Sequence, residues 1–223
     1  MADTKITDLT DISTALADAD LFVAVDVSDT SMAASGTDKN LTAANLKAFI
    51  GGVYPHTGTT RYMGSPNFNT LASFAFSTGE LYYTPVWLPV AITADRLAIN
   101  VQSGIASGTT RLGIYSSTSA GVPSSLILDA GTVATTSSGV KEITISQALT
   151  PGLYWLAAVN QTAAATLYYY PTANNSVMYL YGSTSTAFGH KVAYKESSVT
   201  GALPSTATPV AEYNQIAVQL RQS

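Results

Sequence analysis

The stretch "RLGIYSSTSAGVPSSLILDAGTVATTSSGVKEITISQALTPGLYWLAAVNQ", residues 111–161, decides the fold. Its apolar residues come in short runs, cut by the turn signals "SAGVP", "TSSG" and "LTPG". Within "KEITISQ", Ile143 and Ile145 alternate with polar neighbours, the period of a strand with one face in water. Within "GLYWLAAVNQ", Trp155 is flanked by apolar residues on both sides, which reads as a buried core indole rather than a sugar-stacking one. No part of the stretch has helical spacing.

The same text extends outward. "ELYYTPVWLPVAI", "DRLAINVQS", "ATLYYYPT", "VMYLYGS", "HKVAYKES" and "NQIAVQLRQ" are further β-type runs between Glu80 and Gln222. Leu97, Ile99 and Val101 alternate, as do Ile216, Val218 and Leu220. Many short strands without a helical period predict a mainly β fold, a jelly-roll-like β-sandwich over residues 79–223. Residues 53–78 mix Gly, Pro and Thr with aromatics and read as a connector with a strand near its end.

Residues 1–52 form a different unit. In "DLFVAVDVS", Leu21, Val23, Val25 and Val27 share one face, and Phe22, Ala24, Asp26 and Ser28 the other, which predicts a strand. "SMAASGTDKN" reads as a turn. "LTAANLKAFIGG" predicts a helix with Thr42 as N-cap, Leu41 stapled to Leu46, an apolar face of Leu46, Phe49 and Ile50, and Gly51-Gly52 as its end. One strand and one short helix cannot close a core, so the unit is expected to be completed by copies of itself or by a partner.

Composition narrows the function. Hydrophobic residues make up 46% of the 223-residue chain and charged residues only 11%, against about 25% charged in an ordinary soluble domain. Ser, Thr, Asn, Gln and 13 Tyr must therefore wet the surface. The net charge of −4 is concentrated at the start, where residues 1–50 hold eight Asp against three Lys. No basic stripe exists for a phosphate backbone, which argues against nucleic-acid binding. No run is long and apolar enough to predict membrane insertion. With no cysteine, disulfides and thiolate metal sites are excluded.

Two segments carry a resemblance. "KITDLTDISTALADADLFVAVDVSDTSMAASGTDKNLTAANLKAFI" resembles the N-terminal attachment module of tailed-phage fibre, spike and head-decoration proteins, which start with an ITDLT-like phrase and continue to an apolar strand and a "T-x-x-N-L" helix. Residues 111–161, with R-L-G-I-Y, P-x-x-L and G-L-Y-W-L-A, are similar to a β-sandwich domain of phage structural proteins. The resemblance implies a bacteriophage virion structural protein on the outer surface of the particle and a homotrimer. Its residues 1–52 would bind other virion proteins; the apolar faces of the strand and helix read above, Leu21, Val23, Val25, Val27, Leu46, Phe49 and Ile50, are the expected assembly set. A short tail fibre touching a host surface glycan is the leading expectation. A capsid decoration protein that stabilises the head is the alternative, and a carbohydrate-active enzyme or lectin the third.

Candidate site residues are few. "LYYYPTANNSVMYLYGS" offers Tyr168, Tyr170, Tyr179 and Tyr181 as a receptor-contact surface, provided the strands pair as a hairpin through "PTANNS"; the competing reading is core or trimer interface. Trp87, between Pro85 and Pro89, suits an edge strand packed on a neighbouring subunit. His56 and His190 lie in no metal-ligand or triad spacing. The body's carboxylates, Glu80, Asp95, Asp129, Glu142, Glu196 and Glu212, show no pair marked for glycoside hydrolysis. No enzymatic activity, cofactor or metal site is expected.

Overall fold

Alternation and turn chemistry translate directly into strands in the computed structural model, which describes residues 21–26, 31, 37–42, 61–65, 71–171 and 193–222. The chain divides into two units, Met1–Thr57 and Gly58–Ser223.

In the first unit, β1 (Leu21–Asp26) pairs antiparallel with β2 (Thr37–Thr42), in a register that sets Leu21 opposite Thr42 and Asp26 opposite Thr37. The expected strand is present, and its partner is local. "TDKN", expected as turn, is strand instead, because the ladder of β1 supplies hydrogen-bond partners that outweigh the weak β-propensity of Asp, Lys and Asn. Thr42, expected as an N-cap, is the last residue of β2. Of the expected assembly set, Leu21, Val23 and Val25 lie in β1; Val27, Leu46, Phe49 and Ile50, and with them the expected helix, lie outside the described residues.

The second unit is an antiparallel β-sandwich. Its strands are β3 (Arg61–Met63), β4 (Ala72–Ala75), β5 (Leu81–Leu88), β6 (Ile92–Ser103), β7 (Thr109–Ser117), β8 (Pro123–Ala134), β9 (Gly139–Leu149), β10 (Gly152–Asn160), β11 (Thr166–Tyr170), β12 (Ala193–Glu196), β13 (Val210–Glu212), β14 (Gln215–Ile216) and β15 (Val218–Gln222). One sheet has six strands in the order β13-β12-β5-β10-β7-β8. The other has seven: β14-β11-β6-β15-β3, with β4 against β11 and β9 against β6. The sandwich follows the sequence reading, as do the strands expected within the described residues; the expected strand "VMYLYGS" lies outside them. The expected connector does not stand apart, since β3 and β4 from it pair into the seven-stranded sheet.

Between the sheets, Leu97, Ile99, Val218 and Leu220 from one side meet Val86, Leu112, Ile114 and Leu156 from the other, all buried. Burial of apolar area at about 25 cal/mol per Å² makes this core the main stabilising element. A buried polar knot ties its end. Thr110 Oγ1 donates to Asn160 Oδ1 at 2.7 Å, and Asn160 Nδ2 donates to the carbonyls of Phe76 at 2.9 Å and Ala165 at 3.2 Å.

A second core lies on the opposite, outer face of the six-stranded sheet. Leu81 and Tyr83 of β5, Tyr115 of β7, and Trp155, Ala157 and Val159 of β10 are buried there beneath Val199 and Leu203. Side chains of a strand alternate between faces, so β10 buries both of its faces. The approach of the covering segment is close: a Cβ on Gly113 would stand 2.3 Å from Leu203 Cδ1 and 2.7 Å from the Leu128 carbonyl oxygen. Only a residue without a side chain fits that position.

Candidate functional site

The covering segment, residues 197–209, is held over the six-stranded sheet by two carboxylates. Asp129 accepts from Arg111 Nε at 2.7 and 3.0 Å, from the Gly131 amide at 3.1 Å and from the Leu203 amide at 3.0 Å. Partial burial pushes the Asp129 pKa up, but the Arg111 guanidinium and the two amides outweigh it and hold the carboxyl below its usual range. Glu196 accepts from Tyr83 Oη at 2.8 Å, from the Thr208 amide at 2.9 Å and from Thr208 Oγ1 at 2.8 Å. Tyr115 Oη donates to the Pro204 carbonyl at 2.8 Å. Burial, reinforced at Tyr83 by Glu196, raises both tyrosine pKa values well above the usual phenol range.

The remaining carboxylates also have partners. Asp95 takes a two-pronged bond from Arg221, at 2.8 and 2.6 Å. Glu142 accepts from Tyr62 Oη. Glu80 and Glu212 lie 3.2 and 3.5 Å from Lys195 Nζ. Each is thus engaged by a cation, a hydroxyl or an amide. No cluster of metal-ligating side chains occurs among the described residues.

At one end of the six-stranded sheet the outer face is open. Three pieces meet there: the end of β5, the Thr118–Val122 loop between β7 and β8, and the turn at Pro151 between β9 and β10. They border a groove of about 460 Å³, lined among the described residues by Trp87, Ser116–Ser119, Gly121, Pro151, Gly152, Leu153 and Tyr154. None of these is charged.

Trp87 is the groove's largest side chain. It continues the outward-facing row Leu81, Tyr83 and Pro85 past the edge of the covering segment, and it is 53% exposed. Leu153, opposite it on β10, supports the indole from the same face. The loop beside it is rigidly built. The Thr118 amide donates to the Val122 carbonyl at 2.9 Å, the Gly121 amide donates to the Thr118 carbonyl at 3.0 Å, and Gly121 has φ +72°. That left-handed conformation is one glycine adopts without steric cost.

The hydroxyls of this rim divide into two kinds. Ser116 Oγ accepts from the Ser125 amide at 3.1 Å and donates to the Ser125 carbonyl at 3.3 Å. Ser117 Oγ accepts from Trp155 Nε1 at 3.3 Å and donates to the Thr118 carbonyl at 3.1 Å. Both are committed to the fold. Thr118 Oγ1 accepts from the Val122 amide at 3.1 Å and keeps its proton to donate. Ser119 is exposed at the loop tip.

The tyrosines singled out in the sequence lie elsewhere. Tyr168 and Tyr170 alternate on β11 with buried Leu167, on the face of the seven-stranded sheet turned away from the core, and both are half-buried. Burial raises the Tyr170 pKa. Over Thr166–Tyr169, β11 has β4 along one edge and β6, the Ala217 amide and β14 along the other. The second strand of the expected hairpin, residues 177–181, lies outside the described residues. Tyr179, Tyr181, His56 and His190 lie outside the described residues.

Trp155 is in the second core, 2% exposed, edge-on to Tyr194 at 5.2 Å. Trp87 lies near the end of β5. Its strand lies between β10 and β12, but β12 pairs only with Leu81–Tyr83, so at Trp87 the described ladder partner is β10 alone. Sequence reasoning missed the groove because its parts come from three separated segments. The usable signal was an aromatic in "TPVWLP" and a hydroxyl-rich turn, "SSTSAG".

No protein-family model matches the chain, and no curated protein matches it. A solved structure of the cysteine protease and lectin-like domains of Cwp84, a surface layer associated protein of Clostridium difficile, is similar over 74% of this chain and 32% of that one, with 14% identity and a TM-score of 0.37. The present chain therefore spans about a third of that protein's length.

Proposed function

We propose that this chain is a structural protein of a tailed-phage particle, a homotrimer whose N-terminal unit attaches it to other virion proteins and whose β-sandwich contacts the host surface. The observation that carries the reading is the division of labour between the two units. Gly58–Ser223 closes two cores of its own, whereas the described residues of Met1–Thr57 form a two-stranded pair, β1 and β2, which by itself is too small for independent stability. A part that needs a partner joined to a part that does not is the organisation of an anchor and a head. The resemblance of residues 5–50 to phage attachment modules supports the same assignment.

One observation favours the second reading, capsid decoration. Residues 61–63 and 72–75 are strands of the sandwich, so little chain is left between the units for the shaft of a receptor fibre.

The test uses particles. Deleting residues 1–57 is expected to leave a soluble sandwich that no longer joins virions; full occupancy by the truncated protein would overturn the anchor assignment. Particles lacking the whole protein are expected to lose host adsorption. If they adsorb normally but break on heating or at low ionic strength, decoration is the correct reading.

A further inference from the structure

We propose that the groove beside Trp87 is a saccharide site that takes a neutral pyranose, with the sugar's C–H face on the indole and its hydroxyls on the loop Thr118–Gly121. The proposal rests on the reading of the sandwich as the host-contacting part and names the chemistry of the contact.

Four observations converge on that occupant. The first is the indole. Large aromatic side chains of a β-sandwich are ordinarily buried, as Trp155 is, yet Trp87 stands half out of the surface, and its Nε1 donor meets no acceptor among the described residues. An aromatic face with a polar handle suits a ligand that is apolar on one side and hydrogen-bonding at its rim. The second is charge. The described lining residues carry none, so among them an anionic ligand finds no Arg or Lys and a cationic one no carboxylate. Burying either without a partner is costly.

The third is the supply of hydrogen bonds. Among the described residues, Thr118 Oγ1 retains its proton, and exposed Ser119 Oγ makes no hydrogen bond. Together with the Trp87 N–H these are small, neutral groups of the kind that fix orientation in ligand sites. The fourth is size and support. A volume of about 460 Å³ in a shallow, open cleft falls in the usual range for small-molecule sites, about 300–1,000 Å³. Its floor is held from below, since Ser117 receives the Trp155 indole N–H from the second core.

The experiment uses the full chain and a panel of probes: the methyl glycosides of glucose, galactose, mannose and N-acetylglucosamine, with glucuronic acid as the charged counterpart. Binding is read by saturation-transfer NMR and by acrylamide quenching of tryptophan fluorescence. Of the two tryptophans only Trp87 is open to the quencher, so shielding by a sugar reports this site. At least one neutral glycoside is expected to bind and to protect the exposed tryptophan, with glucuronic acid weaker. Trp87→Ala is expected to weaken that binding by about tenfold or more, as for a central aromatic contact, and Trp87→Phe to recover most of it. Ser119→Ala, at an exposed loop tip where folding is not at risk, is expected to cost about two- to tenfold, the worth of one neutral hydrogen bond.

Unaltered affinity in both Trp87→Ala and Ser119→Ala overturns the proposal. So does a panel in which no neutral glycoside binds, or shielding of Trp87 by self-association of the chain without sugar. The two levels separate cleanly on particles. If removing the whole protein abolishes adsorption and Trp87→Ala does not, the groove assignment fails and host contact stands. If particles lacking the protein adsorb normally, host contact fails, while binding of glycosides to the purified chain still decides the groove.

Discussion

Strands β9 and β10 follow one another in the chain and are built to opposite rules. From Lys141 to Gln147, β9 alternates half-buried and exposed residues, with Ile143 and Ile145 turned to the core and Glu142, Thr144 and Ser146 to water. From Tyr154 to Asn160, every residue of β10 is buried. The difference follows from what covers each sheet. At β9 the outer face is solvated, and at β10 it lies under residues 199–208. A continuous apolar run thus marks a strand roofed on both sides, a pattern usual in parallel sheets and produced here in an antiparallel one by a single irregular segment.

The sharpest way to break this comparison is Trp155→Ala. If the outer face of β10 is a true core, the loss of a fully buried indole and its bond to Ser117 should cost about 3–5 kcal/mol, read from the midpoint of chemical denaturation. A loss under about 1 kcal/mol would mean that the covering segment rests on the sheet without packing on it.

Asp129→Asn tests what holds the cover down. It is expected to cost about 1–3 kcal/mol at pH 7, the usual worth of hydrogen bonds to a charged group. The folded pKa of Asp129 is depressed, so its contribution is full above the ordinary carboxylate range and fades as pH falls through the lowered folded value. Wild type and variant should therefore converge in acid. Melting curves from pH 7 down to pH 2 check this; a constant gap across that range would show that the carboxylate's charge is irrelevant.

The smallest effect is expected on β9. Thr144→Ala, on its solvated face, should change stability by less than about 0.5 kcal/mol. A larger loss in thermal melting would reveal a second covered face.

These contrasts show which features were legible in sequence. The alternation of Leu97, Ile99 and Val101, and of Val218 and Leu220, is a local property, so their strands and inward faces could be read directly. So could the burial of Trp155, whose neighbours on both sides are apolar. The cover was not legible. Asp129 meets Arg111 across 18 positions and the Leu203 amide across 74, and β8 reaches that register only after bulges against β7. The groove at Trp87 was hidden for the same reason, since spacing along one strand cannot say which loops stand beside its end.

The pairing of β3 with β15 has a mechanical consequence. Arg61 lies opposite Gln222, Tyr62 opposite Arg221, and Met63 opposite Leu220, so the strand that enters the sandwich and the one that leaves it meet end to end at one rim. A pull applied between those two ends loads the ladder one rung at a time, like a zipper, instead of sharing the force over all its bonds as in shear. With only three residues in β3, the first event under tension should be the peeling of that strand, leaving the rest of the seven-stranded sheet intact.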